Sequence, residues 1–135
     1  PLIDSKYRTI PDRLHTFIAG SSAGGMASFW IAYLHADIFS KVGCMSQSLQ
    51  NHEMDGERMY DIMKRDGTKD LTYYIDLGTG EGFRDMVDNA IFYLQRAGFR
   101  LGKDLFYHPA HGMEHNERSW NKRFDKILLL FLRDI

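Results

Sequence analysis

The chain has 135 residues, 44% of them hydrophobic and 13% aromatic, with a formal net charge of −1. That length gives one domain able to bury a real core, and the near-neutral balance gives no basis for a nucleic-acid or anionic-membrane partner. The longest apolar run, Ile127 to Leu132, falls far short of the roughly 18 residues that span a bilayer, and the single cysteine, Cys44, excludes an internal disulfide framework.

Cys44 lies in an apolar, strand-like run and reads as a buried, inert thiol. The sequence opens at Pro1 with neither an initiator methionine nor a signal-peptide pattern, which reads as a piece of something longer. Localisation is not legible from it.

Apolar strand-like runs alternate with helix-periodic segments, the pattern of a parallel sheet covered by helices on both faces, a three-layer α/β fold. A short helix is expected over Leu2 to Tyr7, ended by the Ile10-Pro11 step. Leu14 to Ala19 reads as the first strand. The helix from Ala23 to about His35 is apolar nearly all round, as for a helix sandwiched in the core. Lys41 to Ser46 makes a second strand, and after a polar loop a helix is expected from about Glu53 to Lys64, stopped by Gly67. Leu71 to Leu77 is the clearest strand, and Gly78-Thr-Gly-Glu-Gly82 a loop by composition. Phe83 to Ala97 has helical spacing, with Gly98 as its C-cap. Leu105 to His108 is a fourth strand, broken by Pro109, and a loop runs on to about Asn116. A last helix carries Trp120, Phe124, Ile127, Leu128 and Phe131 along one face. No repeat, linker or low-complexity tract points to a second domain, so residues 1–135 read as one.

Within this frame Gly20-Ser21-Ser22-Ala23-Gly24 matches G-x-S-x-G, which sets a serine on a strained turn from strand to helix. The strand and helix backbones nearly touch there, so small residues are expected two positions either side of Ser22. In an open parallel sheet, functional groups gather beyond the carboxyl ends of the strands. Ser22 follows the first strand, Glu81 lies in the loop after the third, and His115 in the loop after the fourth. Serine, acid, histidine is the chain order of a hydrolase triad. A hydroxyl is a poor nucleophile at neutral pH and needs an imidazole to take its proton. A carboxylate fixes that imidazole's tautomer and stabilises its cation. Asp76, near the end of the third strand, and Asp85, at the start of the next helix, compete with Glu81 for the acid.

Each of these residues also has a structural reading: Ser21 or Ser22 as a plain N-cap, Glu81 as a solvated loop acid. His15, His35 and His52 read as structural or solvated. His111 to His115 formally matches H-x-x-E-H, but zinc binding by that motif needs both histidines on one helix face. Pro109 and Gly112 make the segment a loop, so no metal site is expected, and His115 is the base. Trp30 and Trp120 sit at helical spacing among apolar residues and read as core packing.

At these residues the chain resembles the α/β-hydrolase esterases that include enterochelin esterases, S-formylglutathione hydrolases, and feruloyl and acetyl-xylan esterases. Ile3 to Thr9 with Asp12-Arg13 resembles the lead-in to the elbow, and Ile18 to Gly25 the elbow itself. Asp76 to Gly82 resembles the acid loop, and Glu114 to Trp120 the histidine loop and its helix. The resemblance implies Ser22 as nucleophile, His115 as base, Glu81 as acid and the Ala23 amide as an oxyanion donor, with no metal or organic cofactor. It implies a small-molecule or polysaccharide-linked ester as substrate.

The sequence departs from that group in three ways. Methionine is more usual at Ala23, and Ser46-Gln-Ser-Leu-Gln50 replaces a segment that often carries an aromatic residue. The group's domain is also about twice as long, so this chain resembles its C-terminal half, without the loop that carries the second oxyanion donor. Losing one such donor costs about 10²–10³ in turnover. The first strand, central in the whole fold, becomes a bare apolar edge. The 135 residues alone are therefore expected to be inactive or poorly soluble, with an N-terminal half supplied from elsewhere. Two other function classes compete. A phosphate-binding loop at Gly20 to Gly25 would need Gly-Lys-Ser/Thr or G-x-G-x-x-G, and neither is present. A catalytically inactive or incomplete α/β-hydrolase-like binding module is the second.

Overall fold

The computed structural model of the chain describes residues 2–48, 53–54 and 57–133. Helix α1 (Leu2–Lys6) and a 3-10 turn (Arg13–His15) lead into strand β1 (Phe17–Ser21) and helix α2 (Ala23–Leu34). Strand β2 (Lys41–Met45) is followed by two-residue strands β3 (Glu53–Met54) and β4 (Glu57–Arg58), then helix α3 (Met59–Asp66). Strand β5 (Thr72–Gly78), helix α4 (Arg84–Ala97), strand β6 (Leu105–Ala110) and helices α5 (Glu117–Asn121) and α6 (Phe124–Leu132) complete the order.

Strands β1, β2, β5 and β6 form a parallel sheet in the order β1-β2-β5-β6. Alternate side chains of each strand point to opposite faces, and the burial divides accordingly. Val42, Cys44, Tyr73, Ile75, Leu77 and Leu105 enter one core with Phe29 and Trp30 of α2, Met59 and Met63 of α3, and Val87 and Leu94 of α4. On the other face Met45 and Tyr74 meet Ile127 and Phe131 of α6, with Phe17, Phe106 and Trp120 packed around them. This is the three-layer arrangement expected from the alternation of elements. Cys44 is fully buried, and burial holds its thiol well above the usual range, with the Asp76 charge adding to it.

Several boundaries differ from expectation. The segment around Leu14 is not strand: the Asp12 carboxylate accepts from His15 N at 3.0 Å and closes the 3-10 turn, leaving Leu14 exposed. The helix expected from Glu53 begins only at Met59, because 53–54 and 57–58 pair as an antiparallel ladder instead. Strand β6 runs through Pro109 to Ala110 rather than stopping at His108. It is an edge strand, where a missing N–H is tolerated. Helix α2 is covered on one side only, with Ile31 and Leu34 about two-fifths exposed. The single last helix is two, α5 and α6, separated at Lys122 and Arg123.

Strand β1 is an edge, paired only with β2 among the described residues, and apart from the exposed Ala19 its residues are half-buried rather than bare.

Candidate active site

The turn from β1 to α2 positions Ser22. A Cβ on Gly20 would collide with the Gly24 carbonyl, so glycine is what lets the strand and helix cross this closely. A Cβ on Gly25 would stand 3.1 Å from the carbonyl oxygens of Gly20 and Met45, whereas one on Gly24 meets nothing. The steric demand therefore falls on Gly20 and Gly25, not on the second glycine of the motif. Ser22 N donates to Met45 O at 2.9 Å, pinning the turn to the end of β2. Ser22 adopts φ 53°, ψ −122°, a conformation that non-glycine residues rarely occupy. It occupies the N-cap position of α2, but its side chain makes no capping bond. The hydroxyl is instead turned to His115, whose Nε2 lies 2.8 Å from Ser22 Oγ.

His115 comes from the loop after β6, and its other nitrogen, Nδ1, lies 2.7 Å from Glu81 Oε2. The ring is held edge-on between Phe83 and Trp120, centroids 5.0 and 5.1 Å away. Glu81 lies in the turn after β5 with its side chain fully buried. Its Oε1 accepts from Ser46 Oγ at 2.7 Å, from Gly78 N at 2.8 Å and from Arg123 Nη2 at 3.4 Å. Burial pushes the Glu81 carboxyl up, but the bonds from Ser46, His115 and Gly78 and the Arg123 charge together outweigh it and hold it below its ordinary value. Glu81 is thus an ionised acceptor. The proton between it and His115 sits on Nδ1, which leaves Nε2 a lone pair facing the Ser22 hydroxyl.

Of the three acids the sequence left open, Glu81 is the one in contact with His115. Asp85 is exposed in the first turn of α4. Asp76 is fully buried on the Tyr74 face of β5, where its carboxylate meets Arg123, with Nε 3.0 Å from Oδ1, and accepts from the Tyr74 hydroxyl on Oδ2 at 3.2 Å, rather than meeting His115. Burial pushes Asp76 up to about 6, against the pull of Arg123, Tyr74 and the Ser46 amide. Ala23 opens α2, so its N–H has no intrahelical acceptor and is open to an oxygen on Ser22's side of the turn.

The remaining histidines lie elsewhere. His15 pairs with Asp12 at 2.7 Å in the 3-10 turn, and His35 is the exposed C-cap residue of α2. His52 and residues 49–50 lie outside the described residues. His111 precedes Gly112 at φ 68° in a turn, so it shares no helix face with His115. Trp30 is core, 7% exposed. Trp120 packs against the second cluster, as its spacing led one to expect, and in addition its ring borders His115 while its N–H reaches Ser46 at 3.0 Å.

Sequence reasoning did not find Ser46 and Arg123. Arg123 did leave a readable sign. It lies on the apolar stripe of Trp120, Phe124, Ile127 and Phe131, where a charge needs a buried partner. A cavity of about 250 Å³ lined by Arg13, His15, Lys41 and Asp70 opens elsewhere, at the amino ends of β2 and β5. Its Arg13 is already spent on Asp70 and the Ala36 carbonyl.

No curated protein sequence matches the chain. Among solved structures, the S-formylglutathione hydrolase of Staphylococcus aureus is similar with TM-score 0.75 and 17% identity, over 96% of this chain and 56% of that one. A ferulic acid esterase is similar with TM-score 0.73 and 19% identity, over 100% and 57%. The enterobactin esterase of Shigella flexneri, solved in the presence of 2,3-dihydroxy-N-benzoyl-serine, has TM-score 0.79 and 16% identity, over 99% and 35%. At such identities the likeness is one of fold, and this chain spans 35–57% of the length of those three proteins. The family model described as Putative esterase matches residues 1–131. The chain belongs to that family, with the α/β-hydrolase fold represented by its C-terminal part.

Proposed function

We propose that this chain carries the reacting groups of a serine hydrolase that cleaves a carboxylic ester through an acyl-serine intermediate. In this reading Ser22 Oγ attacks the ester carbonyl while His115 Nε2 takes its proton. The Ala23 N–H donates to the oxyanion, and His115, now cationic against Glu81, returns the proton to the departing alcohol. Water activated by the same imidazole then releases the acid. The observation that carries the reading is the continuous path from Ser22 Oγ to His115 at 2.8 Å and on to Glu81 at 2.7 Å, ending on a serine in a strained backbone conformation. Membership of an esterase family supports the ester as the bond cleaved. No step in it calls for a metal or an organic cofactor. The substrate class is a small-molecule or polysaccharide-linked ester, with the acyl and alcohol groups left open.

The second reading is an incomplete hydrolase-like binding module. What favours it is that the chain spans only 35–57% of the similar structures, which leaves a second oxyanion donor and part of a pocket to other residues. A fluorophosphonate probe separates the two. The hydrolase reading expects covalent labelling of these 135 residues that Ser22→Ala abolishes, together with slow turnover of a p-nitrophenyl ester, lowered about 10²–10³-fold by the absent donor. No labelling of folded protein would defeat it. Fast turnover by the chain alone would defeat the expectation that an N-terminal half is needed.

A further inference from the structure

Ser46, the first residue after β2, is fully buried at φ 46°, a backbone conformation where glycine would be the unstrained choice. Its hydroxyl touches three groups: Glu81 Oε1 at 2.7 Å, Trp120 Nε1 at 3.0 Å and Arg123 Nη2. An indole N–H and a guanidinium N–H can only donate. Both lone pairs of the hydroxyl are therefore taken, and its proton has one place to go, Glu81 Oε1. With the Gly78 amide and Arg123 also donating there, Oε1 is held by three donors, and Oε2 is left facing His115.

We propose that Ser46 is a positioning residue whose hydroxyl, aimed by Trp120 and Arg123, locks the Glu81 carboxylate with one oxygen turned to His115. The inference deepens the hydrolase reading and rests on it. Ser46 touches no reacting atom and acts only through Glu81. The titratable and charged groups around this cluster are Tyr74 and Asp76 of β5, His108 of β6 in register with Asp76, His115, Arg123, and Asp125 and Lys126 of α6. The last two act on Tyr74 and His108 rather than on Glu81.

Ser46→Gly is the discriminating variant, because it removes the hydroxyl while relieving the backbone. The readout is the rate at which a fluorophosphonate labels Ser22, followed from pH 4 to 9 beside the melting temperature. Loss of one charge-assisted bond is expected to slow labelling about 10- to 100-fold with the protein still folded. Without the Ser46 donor the Glu81 charge is less stabilised, so the acid limb of the profile moves to higher pH. A purely structural role would leave that limb in place. Labelling within about twofold of the parent with an unmoved limb would overturn the proposal. If Ser46→Gly fails to fold, Trp120→Phe keeps a ring beside His115, frees the hydroxyl to turn, and is expected to move the limb in the same direction. A second readout does not depend on the nucleophile: the downfield Nδ1–H proton resonance of His115, recorded in the Ser22→Ala background. An upfield shift or broadening on adding Ser46→Gly supports the positioning role even where the parent resists labelling and the hydrolase reading fails. An unchanged resonance overturns it.

Discussion

Replacing Glu81 by glutamine tests the site through its hydrogen-bond directions alone. Glutamine has the same shape, but one of its two terminal atoms is a donor. The Oε1 position faces Ser46 Oγ, Gly78 N and Arg123 Nη2, all of them donors toward it. An NH₂ group there would oppose all three, so the amide oxygen takes that position and the NH₂ is turned to His115 Nδ1. A donor facing Nδ1 selects the imidazole tautomer protonated on Nε2. That proton then points at Ser22 Oγ, and the ring has no lone pair left to accept the serine proton. The corresponding loss in serine proteases with the wrong tautomer is about 10⁴, equivalent to about 5 kcal/mol of transition-state stabilisation. The second-order rate of fluorophosphonate labelling is therefore expected to fall by about that factor in Glu81→Gln, with the protein still folded but its melting temperature lowered by the loss of one of Arg123's two carboxylates. Asp85→Asn, exposed and out of contact, should label at the parent rate. A Glu81→Gln protein that labels within tenfold of the parent would refute the tautomer argument and the assignment of Glu81.

Asp76 predicts a pH dependence of stability. Its folded pKa of about 6 lies above its ordinary value, so the stability linked to its protonated form is full below about pH 4 and lost as pH rises through 6, up to about 3 kcal/mol. Urea unfolding between pH 4 and 7.5 should show that decline, with Glu81, whose lowered pKa acts in the opposite sense, offsetting it only at the acid end of the range, and Asp76→Asn should flatten it. The β1–α2 crossing predicts a contrast between two glycines: Gly20→Ala should fail to fold or lose several kcal/mol, as overpacking of backbone on backbone requires, whereas Gly24→Ala should be tolerated, as thermal melts will read. The β1 edge, with Leu2, Ile3, Tyr7, Ile10 and Leu14 exposed in the residues before it, predicts concentration-dependent self-association of the 135-residue chain. Sedimentation as a monomer over the full accessible concentration range would count against it.

The sheet was legible because its central strands β2 and β5 are mainly apolar runs between turn signals, the signature of a parallel strand buried on both faces. Boundaries failed where a local side chain overrode the apolar pattern. Asp12 caps a 3-10 turn through His15, so Leu14 is lost to the strand although it is apolar. Pro109 is kept in β6 because an edge strand can spare the hydrogen bond it removes, and edge or centre is a property of the assembled sheet. The order of Ser22, Glu81 and His115 was readable because each follows a strand at one end of the sheet. The choice of Glu81 over Asp76 was not readable from the residues alone. Both carboxylates approach Arg123 and Ser46, and only the turn after Gly78 carries Glu81 far enough past the strand end to meet His115. Ser46 gave no sign, since a serine after a strand is ordinary and its value lies in three partners at 35, 74 and 77 residues' separation.

The break between α5 and α6 explains why the last segment matters to the site as well as to the core. At the joint Arg123 takes φ −127°, ψ 0° and turns its guanidinium between Asp76 and Glu81, both fully buried. An arginine that is 1% exposed is tolerable only because two carboxylates and a hydroxyl meet it. Four and eight residues further on, Ile127 and Phe131 close the second core cluster against Met45 and Tyr74. Residues 115 to 131 therefore bring the imidazole, the guanidinium that restrains its carboxylate partner, and the apolar cover of one sheet face to the same strand ends. Docking of that segment assembles the core and the hydrogen-bond path together. Weakening the cover at Ile127 should accordingly loosen the His115–Glu81 contact before the sheet itself is lost.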